Sequence, residues 1–275
     1  MSVEPDPLLL QAATEALSKS TQRVVVLDHA GERYVAKRVT APTRSLMQAV
    51  STRWLVRRLI GHELPLRSVL LSDAQESMGF EARRILDLQR CGVRVPRLVH
   101  QDRQFLLLAH CGPTIEELLG AWTLDRARVE LQGLARELAA FHRAGHWHGA
   151  AQIKNLTVRH GDTYRIDFEE NFGERVPLVA AQAYDLVLLL NSISLTGPLT
   201  AGESRRLLPQ LLEAYFQANP DAAVRSMLER ALPWIRRIAR LSRPFAGGAF
   251  RGRPRTGVVR LSILSDALST YLGRP

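Results

Sequence analysis

The stretch HWHGAAQIKNLTVRHGDTYRIDFEEN, residues 146 to 171, decides how the rest of the chain is interpreted. It places His148 and Gly149 in a loop that leads to Asn155, and two short strands then lead to Asp167. An amide and a carboxylate on adjacent loops supply the hard oxygen ligands that Mg²⁺ prefers. The stretch therefore contains two residue types that suit a metal site. A turn asparagine and a strand-end aspartate are the alternative for each residue taken alone.

The composition is that of a folded protein with a strong positive charge. The 275 residues are 46% hydrophobic and 23% charged, enough for one large domain or two lobes that share a cleft. The net charge of +10 favours acidic partners such as nucleotide phosphates, nucleic acid or an anionic membrane face. Lysine occurs only at positions 19, 37 and 154, so a generally arginine-rich composition is the alternative explanation.

The remaining bulk features exclude several classes of protein. Cys91 and Cys111 form neither a disulfide framework nor a metal-ligand spacing. The N-terminus has acidic residues early and no basic region before an apolar core, so no signal peptide is expected. No apolar run reaches the length of a membrane span. The expected location is the cytoplasm, either free or peripheral to the inner membrane.

The pattern along the chain predicts a small β-rich part followed by a larger helical part. The expected N-terminal elements are a helix at 6–19, a hairpin of Arg23–Leu27 and Arg33–Val39 around a turn at Asp28–Gly31, helices at 45–61 and 74–91, and a strand pair within 100–111. Helices at 125–144, 180–195 and within 203–243 follow, and 242–257 is Gly/Pro/Arg-rich and loop-like. We therefore expect a two-lobed α+β fold. Its N-lobe would cover 1–112, with a helical insertion at about 43–73, and its C-lobe 113–275.

Five motifs stand in a fixed order between Arg23 and Leu195: YVAKRV, GFEARRILDLQRCGVRVPRLV, FLLLAHCGPTIEELL, the opening stretch, and AYDLVLLL. Their order and spacing resemble the protein-kinase-like superfamily. The resemblance is closest to atypical bacterial members, the lipopolysaccharide-core (Kdo/heptose) kinases, and to the kinase of the KEOPS complex. It implies a two-lobed kinase fold with ATP and Mg²⁺ as cofactors.

The resemblance also assigns roles to individual residues. It implies that Lys37 reaches the ATP phosphates and that Glu81 pairs with it, with Glu76 as the competing carboxylate. The hinge would lie at 109–112, where backbone groups of Ala109 and Cys111 meet the adenine edge. The remaining family positions are two metal ligands, Asn155 and Asp167, and two residues that build the loop, His148 and Asp185. An exposed strand lysine and a solvated helix acid remain the alternatives for the first pair.

The sequence departs from the family pattern in three places. Ala150 replaces the catalytic aspartate, Glu169 replaces the glycine after Asp-Phe, and no glycine-rich loop precedes Lys37. Since phosphoryl transfer depends mainly on positioning and charge neutralisation, loss of a base predicts a slow enzyme rather than none. The residues that could compensate are Gln152, Lys154, Glu169 and Glu170.

These observations predict an ATP/Mg²⁺-dependent phosphotransferase. Its acceptor would be a hydroxyl of a protein Ser/Thr or of a lipopolysaccharide-core sugar. The alternative is a pseudokinase, a nucleotide-binding or scaffolding module without turnover. Anionic surfaces could contact the basic helix at 45–61 or the C-terminal arginines, which are Arg236, Arg237, Arg240, Arg243, Arg251, Arg253 and Arg255. Nucleic acid is not favoured, because aromatic residues are not interleaved with these arginines.

Overall fold

A computed structural model describes residues 5–39, 74–242 and 256–273. The helix predicted at 45–61, the insertion predicted at 43–73 and most of the loop predicted at 242–257 lie outside these residues. The described strands are β1 (Val24–His29), β2 (Glu32–Arg38), β3 (Leu98–Gln101), β4 (Phe105–Ala109), β5 (Leu156–Arg159) and β6 (Asp162–Arg165). The described helices are α1 (Pro7–Lys19), α2 (Ala74–Arg90), α3 (Ile115–Ala121), α4 (Leu124–Arg143), α5 (Leu178–Ile193), α6 (Ala201–Ala218), α7 (Ala222–Ser242) and α8 (Thr256–Leu272).

The N-terminal part is an antiparallel sheet with the strand order β1-β2-β4-β3. Strand β1 is longer than predicted, because Asp28 and His29 still pair with β2. The turn therefore contains only Ala30 and Gly31, which both have positive φ, at 50° and 79°. Two such residues form the tight turn that matches the twist of a hairpin. The four-residue turn predicted at Asp28–Gly31 was thus too long.

Alternate residues of β2 face two different layers. Tyr34 and Ala36 pack with the apolar side of α1 in a small core. Val35 packs against the main core on the other side of the sheet, where Ile85 of α2 lies. Lys37 has the same parity as Val35, and successive side chains of a strand point to opposite faces. The sequence therefore places Lys37 on the face of the sheet that is turned towards α2.

The helical part begins immediately after β4. A capping box, in which Thr114 and Glu117 exchange hydrogen bonds with each other's backbone, starts α3. Strands β5 and β6 form a two-stranded sheet between α4 and α5. The α+β prediction of a small β-rich lobe followed by a larger helical lobe is therefore confirmed. The boundary at 112/113 stays a prediction.

The last helix, α8, was not predicted from the sequence. Its buried residues include the nearly consecutive Ile263, Leu264, Ala267 and Leu268, so its apolar surface extends over a wide sector rather than a narrow stripe. Such a helix gives a weak 3.6-residue signal. None of the helices in the described ranges is long and apolar enough to cross a membrane.

Candidate nucleotide-binding site

Lys37 is the centre of a buried ionic cluster. Its Nζ donates hydrogen bonds to Glu81 Oε1 at 2.8 Å and Oε2 at 3.0 Å, and to Asp167 Oδ1 at 2.7 Å. The side chains of Lys37 and Glu81 are only 10% and 3% exposed, whereas that of Asp167 is 31% exposed. The cluster therefore joins β2, α2 and the segment after β6. The carboxylate that contacts Lys37 is Glu81, the one favoured over Glu76.

The charges of the cluster support one another. Burial alone would lower the pKa of Lys37, but the attraction of Glu81 and Asp167 outweighs it, so the pKa of the ammonium is raised. Burial likewise opposes ionisation of Asp167, yet the charge and hydrogen bond of Lys37 leave the pKa of this carboxyl lowered. The more deeply buried Glu81 has a raised pKa, because its desolvation exceeds the attraction of Lys37. Lys37 and Asp167 are thus an ion pair at neutral pH.

The backbone of Asp167 has an unusual conformation. Its φ is +67°, a region that residues other than glycine seldom occupy, although aspartate tolerates it better than most. The preceding residue, Ile166, donates its N–H to the carbonyl of Asn155 at 3.0 Å. This bond ties the two loops that carry the predicted metal ligands. Strained backbone of this kind is concentrated at ligand sites.

Asn155 closes the loop that begins at Ala150. It is buried at the end of a 3₁₀ turn, Ile153–Asn155, and its Nδ2 donates to the Ala150 carbonyl at 2.9 Å. Gln152 is part of the same loop through its backbone, since its N–H donates to Ala150 and its carbonyl accepts from Asn155. Gln152 is half-buried and Lys154 is exposed. The loop is therefore fixed by bonds that do not require an aspartate at position 150.

Asp185 of α5 supports this loop from inside the helical lobe. The fully buried carboxylate accepts the backbone N–H of His148 at 2.5 Å and of Gly149 at 2.8 Å. The His148 ring stacks on Phe168 with the ring centroids 4.6 Å apart. Burial lowers the pKa of His148 to about 4, so the ring is neutral at physiological pH. A chain of contacts thus runs from α5 through the loop to the residue beside Asp167.

The predicted hinge lies at the other end of β4. Ala109 donates its N–H to Arg97 at 2.9 Å, and the Cys111 thiol donates to the Ala109 carbonyl at 3.5 Å. Burial raises the pKa of Cys111 to about 11, so this thiol stays protonated. Gly112 has a φ of +90°, and a Cβ there would lie 1.9 Å from the Val158 carbonyl oxygen. The hinge therefore needs glycine where it crosses β5.

Two features of the site were not foreseen from the sequence. Val24 and Val26 of β1 are 39% and 50% exposed, and they pair with Lys37 and Val35, so they share the face of the sheet that carries the lysine. The four consecutive apolar residues of the run VVVLD put apolar side chains on both faces of the strand, which could have indicated this surface.

The second unforeseen feature is an ion pair between Arg23 and Glu169. Arg23 Nη1 lies 3.3 Å from Glu169 Oε1, and Nη2 contacts Oε2. Carboxylate oxygens of Glu81, Asp167 and Glu169 all lie within 4.8 Å of one another. The sequence marks Arg23 only as the start of a strand, and no local pattern marks it as a partner of a residue so distant in the sequence.

Comparison with known proteins gives one curated relative. The chain is 28% identical over 119 residues to the KEOPS complex subunit Bud32 of Pyrococcus abyssi. The aligned region covers 42% of this chain and 53% of that protein. The match thus spans about half the length of the relative. No family model matches the chain.

Among solved structures, the ternary complex of APH(2″)-IIa with streptomycin and ATP aligns over 97% of this chain and 99% of its own, with 13% identity and a TM-score of 0.35. The family is indicated instead by the similarity to Bud32, by the two-lobed architecture, and by the joining of β2, α2 and the segment after β6 through Lys37. Together these features place the chain in the protein-kinase-like superfamily.

Proposed function

We propose that this protein is an atypical kinase that binds ATP with Mg²⁺ and transfers the γ-phosphate to a hydroxyl group. One observation carries the proposal: a single buried lysine, Lys37, contacts both Glu81 and Asp167. A lone buried ammonium would be costly, and a structural ion pair would need only one carboxylate. The second, partly exposed carboxylate points to a site where Lys37 and Asp167 face an exchangeable ligand.

The described surfaces around Lys37 suit the two ends of a nucleotide. The exposed faces of Val24 and Val26 offer an apolar surface for a base, beside the hinge segment that carries Ala109 and Cys111. Lys37 follows on the same face and provides a compact positive charge for phosphate oxygens. An apolar surface with a few convergent polar groups is what small-molecule sites share.

The oxygen ligands around Asp167 fit Mg²⁺. Asn155 and Asp167, tied together through Ile166, would hold the ion, and Glu169 offers a third oxygen ligand. An ion held by these residues would supply positive charge against the charge that develops on the transferred group. The role of Lys37 is to orient phosphate oxygens, and the role of Glu81 is to keep Lys37 charged and in place.

The acceptor hydroxyl needs a group that takes its proton, and Ala150 cannot do so. Glu170 is the best-placed substitute, because its Cβ would lie 3.2 Å from a Cβ built on Gly149, the residue before Ala150. Gln152, the other candidate, would orient the hydroxyl without accepting its proton. We propose Glu170 as the base and Gln152 as a positioning residue.

A second candidate function is nucleotide binding without turnover. The observation that favours it is Ala150, together with a loop that is held by Asp185 and Asn155 and remains ordered without the usual aspartate. In that case the ionic cluster would serve as a nucleotide-responsive scaffold rather than a catalytic centre.

The acceptor would be a protein Ser/Thr or a lipopolysaccharide-core sugar, met in the cytoplasm or at the inner face of the inner membrane. Some of the C-terminal arginines have internal partners, as shown by Arg236 donating to Ser269 at 2.8 Å. Others, Arg243, Arg251, Arg253 and Arg255, lie outside the described residues. We propose that the acceptor is acidic, because the net charge of the chain is +10.

Phosphate transfer from radiolabelled ATP tests the two candidates against each other. The assay would compare the wild type with Asp167→Asn, using autophosphorylation and hydrolysis as readouts. A kinase predicts slow turnover that the variant abolishes. Turnover that is equal in both proteins would overturn the kinase proposal, and nucleotide binding without turnover would support the pseudokinase.

A further inference from the structure

We propose that Arg23 replaces the missing glycine-rich loop, binding the terminal phosphates of the nucleotide after they displace Glu169 from its guanidinium. The inference rests on the proposed function and adds the residue that covers the phosphates. The ligand class is a nucleoside di- or triphosphate.

The backbone around Arg23 holds it next to the lysine of the cluster. No glycine occurs before Gly31, so the described segment that leads into β1 has no glycine-rich loop that could wrap phosphate with backbone N–H groups. Instead, α1 ends at Lys19, and the Arg38 guanidinium donates to the carbonyls of Leu17 and Ser20 at its end. The Arg38 N–H donates to the Arg23 carbonyl at 2.8 Å.

This bond extends the β1–β2 ladder by one residue beyond the pair formed by Val24 and Lys37. Arg23 is therefore anchored at the phosphate end of the apolar surface rather than on a free segment. A guanidinium in this place has the planar, two-pronged geometry that suits phosphate oxygens.

The present partner of Arg23 shows that its guanidinium reaches the cleft. Both of its terminal nitrogens contact the Glu169 carboxylate, whose oxygens lie close to those of Asp167 and Glu81. The hydrogen bonds to Glu169 raise the pKa of Arg23; burial opposes this effect, and the charges of Glu169, Asp167 and Glu81 add to it. The Arg23 and Glu169 side chains are 40% and 24% exposed, so an incoming anion can compete for the guanidinium.

The charge balance indicates what the exchange would achieve. Lys37 and Arg23 face three carboxylates, those of Glu81, Asp167 and Glu169, which leaves one excess negative charge when all are ionised. A phosphate that bound the Arg23 guanidinium would release the Glu169 carboxylate beside Asp167. The released carboxylate could then become a cation ligand. Phosphate and Mg²⁺ would then bind with positive coupling, because each removes a charge that opposes the other.

Titration calorimetry of ATP and of adenosine, with Mg²⁺ and with EDTA, tests this inference. The proteins compared are the wild type, Arg23→Gln, Arg23→Lys and Glu169→Gln. The control is Arg90→Gln, because Arg90 pairs with Asp87 on the exposed side of α2. We expect Arg23→Gln to weaken ATP binding roughly tenfold or more, while adenosine binding changes less than twofold. Arg23→Lys should restore part of the loss.

The Glu169→Gln variant tests the exchange itself. Since it frees Arg23, it should bind ATP more tightly than the wild type in EDTA and gain less from Mg²⁺. The role of Arg23 would be overturned if Arg23→Gln bound ATP as tightly as the wild type does. It would also be overturned if the affinity for adenosine fell by the same factor as the affinity for ATP. Unchanged affinity of Glu169→Gln in EDTA would overturn the exchange. A wild type that binds no ATP would instead overturn the proposed function itself.

Discussion

Lys37 Nζ lies 2.7 Å from Asp167 Oδ1, so a residue of the small sheet is ion-paired with one that follows the β5–β6 hairpin of the helical lobe. The same ammonium is also bonded to Glu81. The two lobes are therefore joined by charge at the point where a nucleotide would bind. The consequences can be tested by changing the charges singly and in pairs.

Removing the lysine should destabilise the fold. Lys37→Met leaves the buried Glu81 carboxylate without its partner, and breaking a buried ion pair in this way costs about 3 kcal/mol or more. The double variant Lys37→Met/Glu81→Leu should recover much of this loss, because no buried charge remains. Urea unfolding at pH 7 measures both free energies. Effects of the two substitutions that simply add would contradict the coupling.

The hinge glycine should be sensitive where a helical glycine is not. Gly112→Ala places a Cβ against the Val158 carbonyl at a φ of +90°, so we expect a loss of about 2 kcal/mol or more in the free energy of unfolding. Gly133, inside α4, has no atom within 4 Å of its added Cβ, and Gly133→Ala should stabilise the protein by about 0.5–1 kcal/mol. Thermal unfolding of both variants distinguishes them. Equal effects would show that the hinge is not tightly packed on β5.

Stability should decrease as the pH falls from about 6.5 to about 4 because of His148. The pKa of this ring is lowered on folding, from 6.5 to about 4, so the unfolded chain takes up a proton that the folded chain resists. The loss reaches about 3 kcal/mol at the acid end of the window. His148→Asn should show a flatter pH dependence, whatever its absolute stability. A variant with the wild-type slope would contradict the assignment.

Restoring the missing carboxylate should increase turnover. In Ala150→Asp a carboxylate would be added to a loop already fixed by Asp185 and Asn155. A general base contributes about a hundredfold or more where none acts, so we expect a smaller gain here, because Glu170 is proposed to take the proton already. The Gln152→Ala variant should lose activity if Gln152 orients the acceptor. Initial rates of ATP turnover measure both changes. If Ala150→Asp gains no activity, a carboxylate at position 150 is not what limits turnover. If Gln152→Ala loses none, Gln152 does not orient the acceptor.

How much of the candidate site could be predicted from the sequence depended on how far apart in the sequence the contacting residues lie. The roles of Lys37, Asn155 and Asp167 were implied by the resemblance of local motifs to the protein-kinase-like superfamily, and the structure brings Lys37 and Asp167 together with Glu81. Arg23 could not be inferred in the same way, because its contact with Glu169 depends on how the two lobes meet. Local patterns do not contain that information.

Two local features were also missed, each for a physical reason. The β1–β2 turn is two residues long because Ala30 and Gly31 both adopt positive φ, and an alanine in that conformation is not a usual turn signal. The helix α8 is buried over a wide sector, so its apolar residues give only a weak helical period. The fold class was nevertheless predictable, since it depends on the order of many elements.

The cluster around Lys37 and Asp167 is proposed to bind ATP together with Mg²⁺. Titration calorimetry with MgATP on the wild type and on Asp167→Asn tests it most directly, because the substitution keeps the shape of the side chain and removes its charge. We predict saturable binding by the wild type that is at least tenfold weaker in the variant and weaker for both proteins in EDTA. No saturable binding by the wild type, or equal affinities of the two proteins, would contradict the claim.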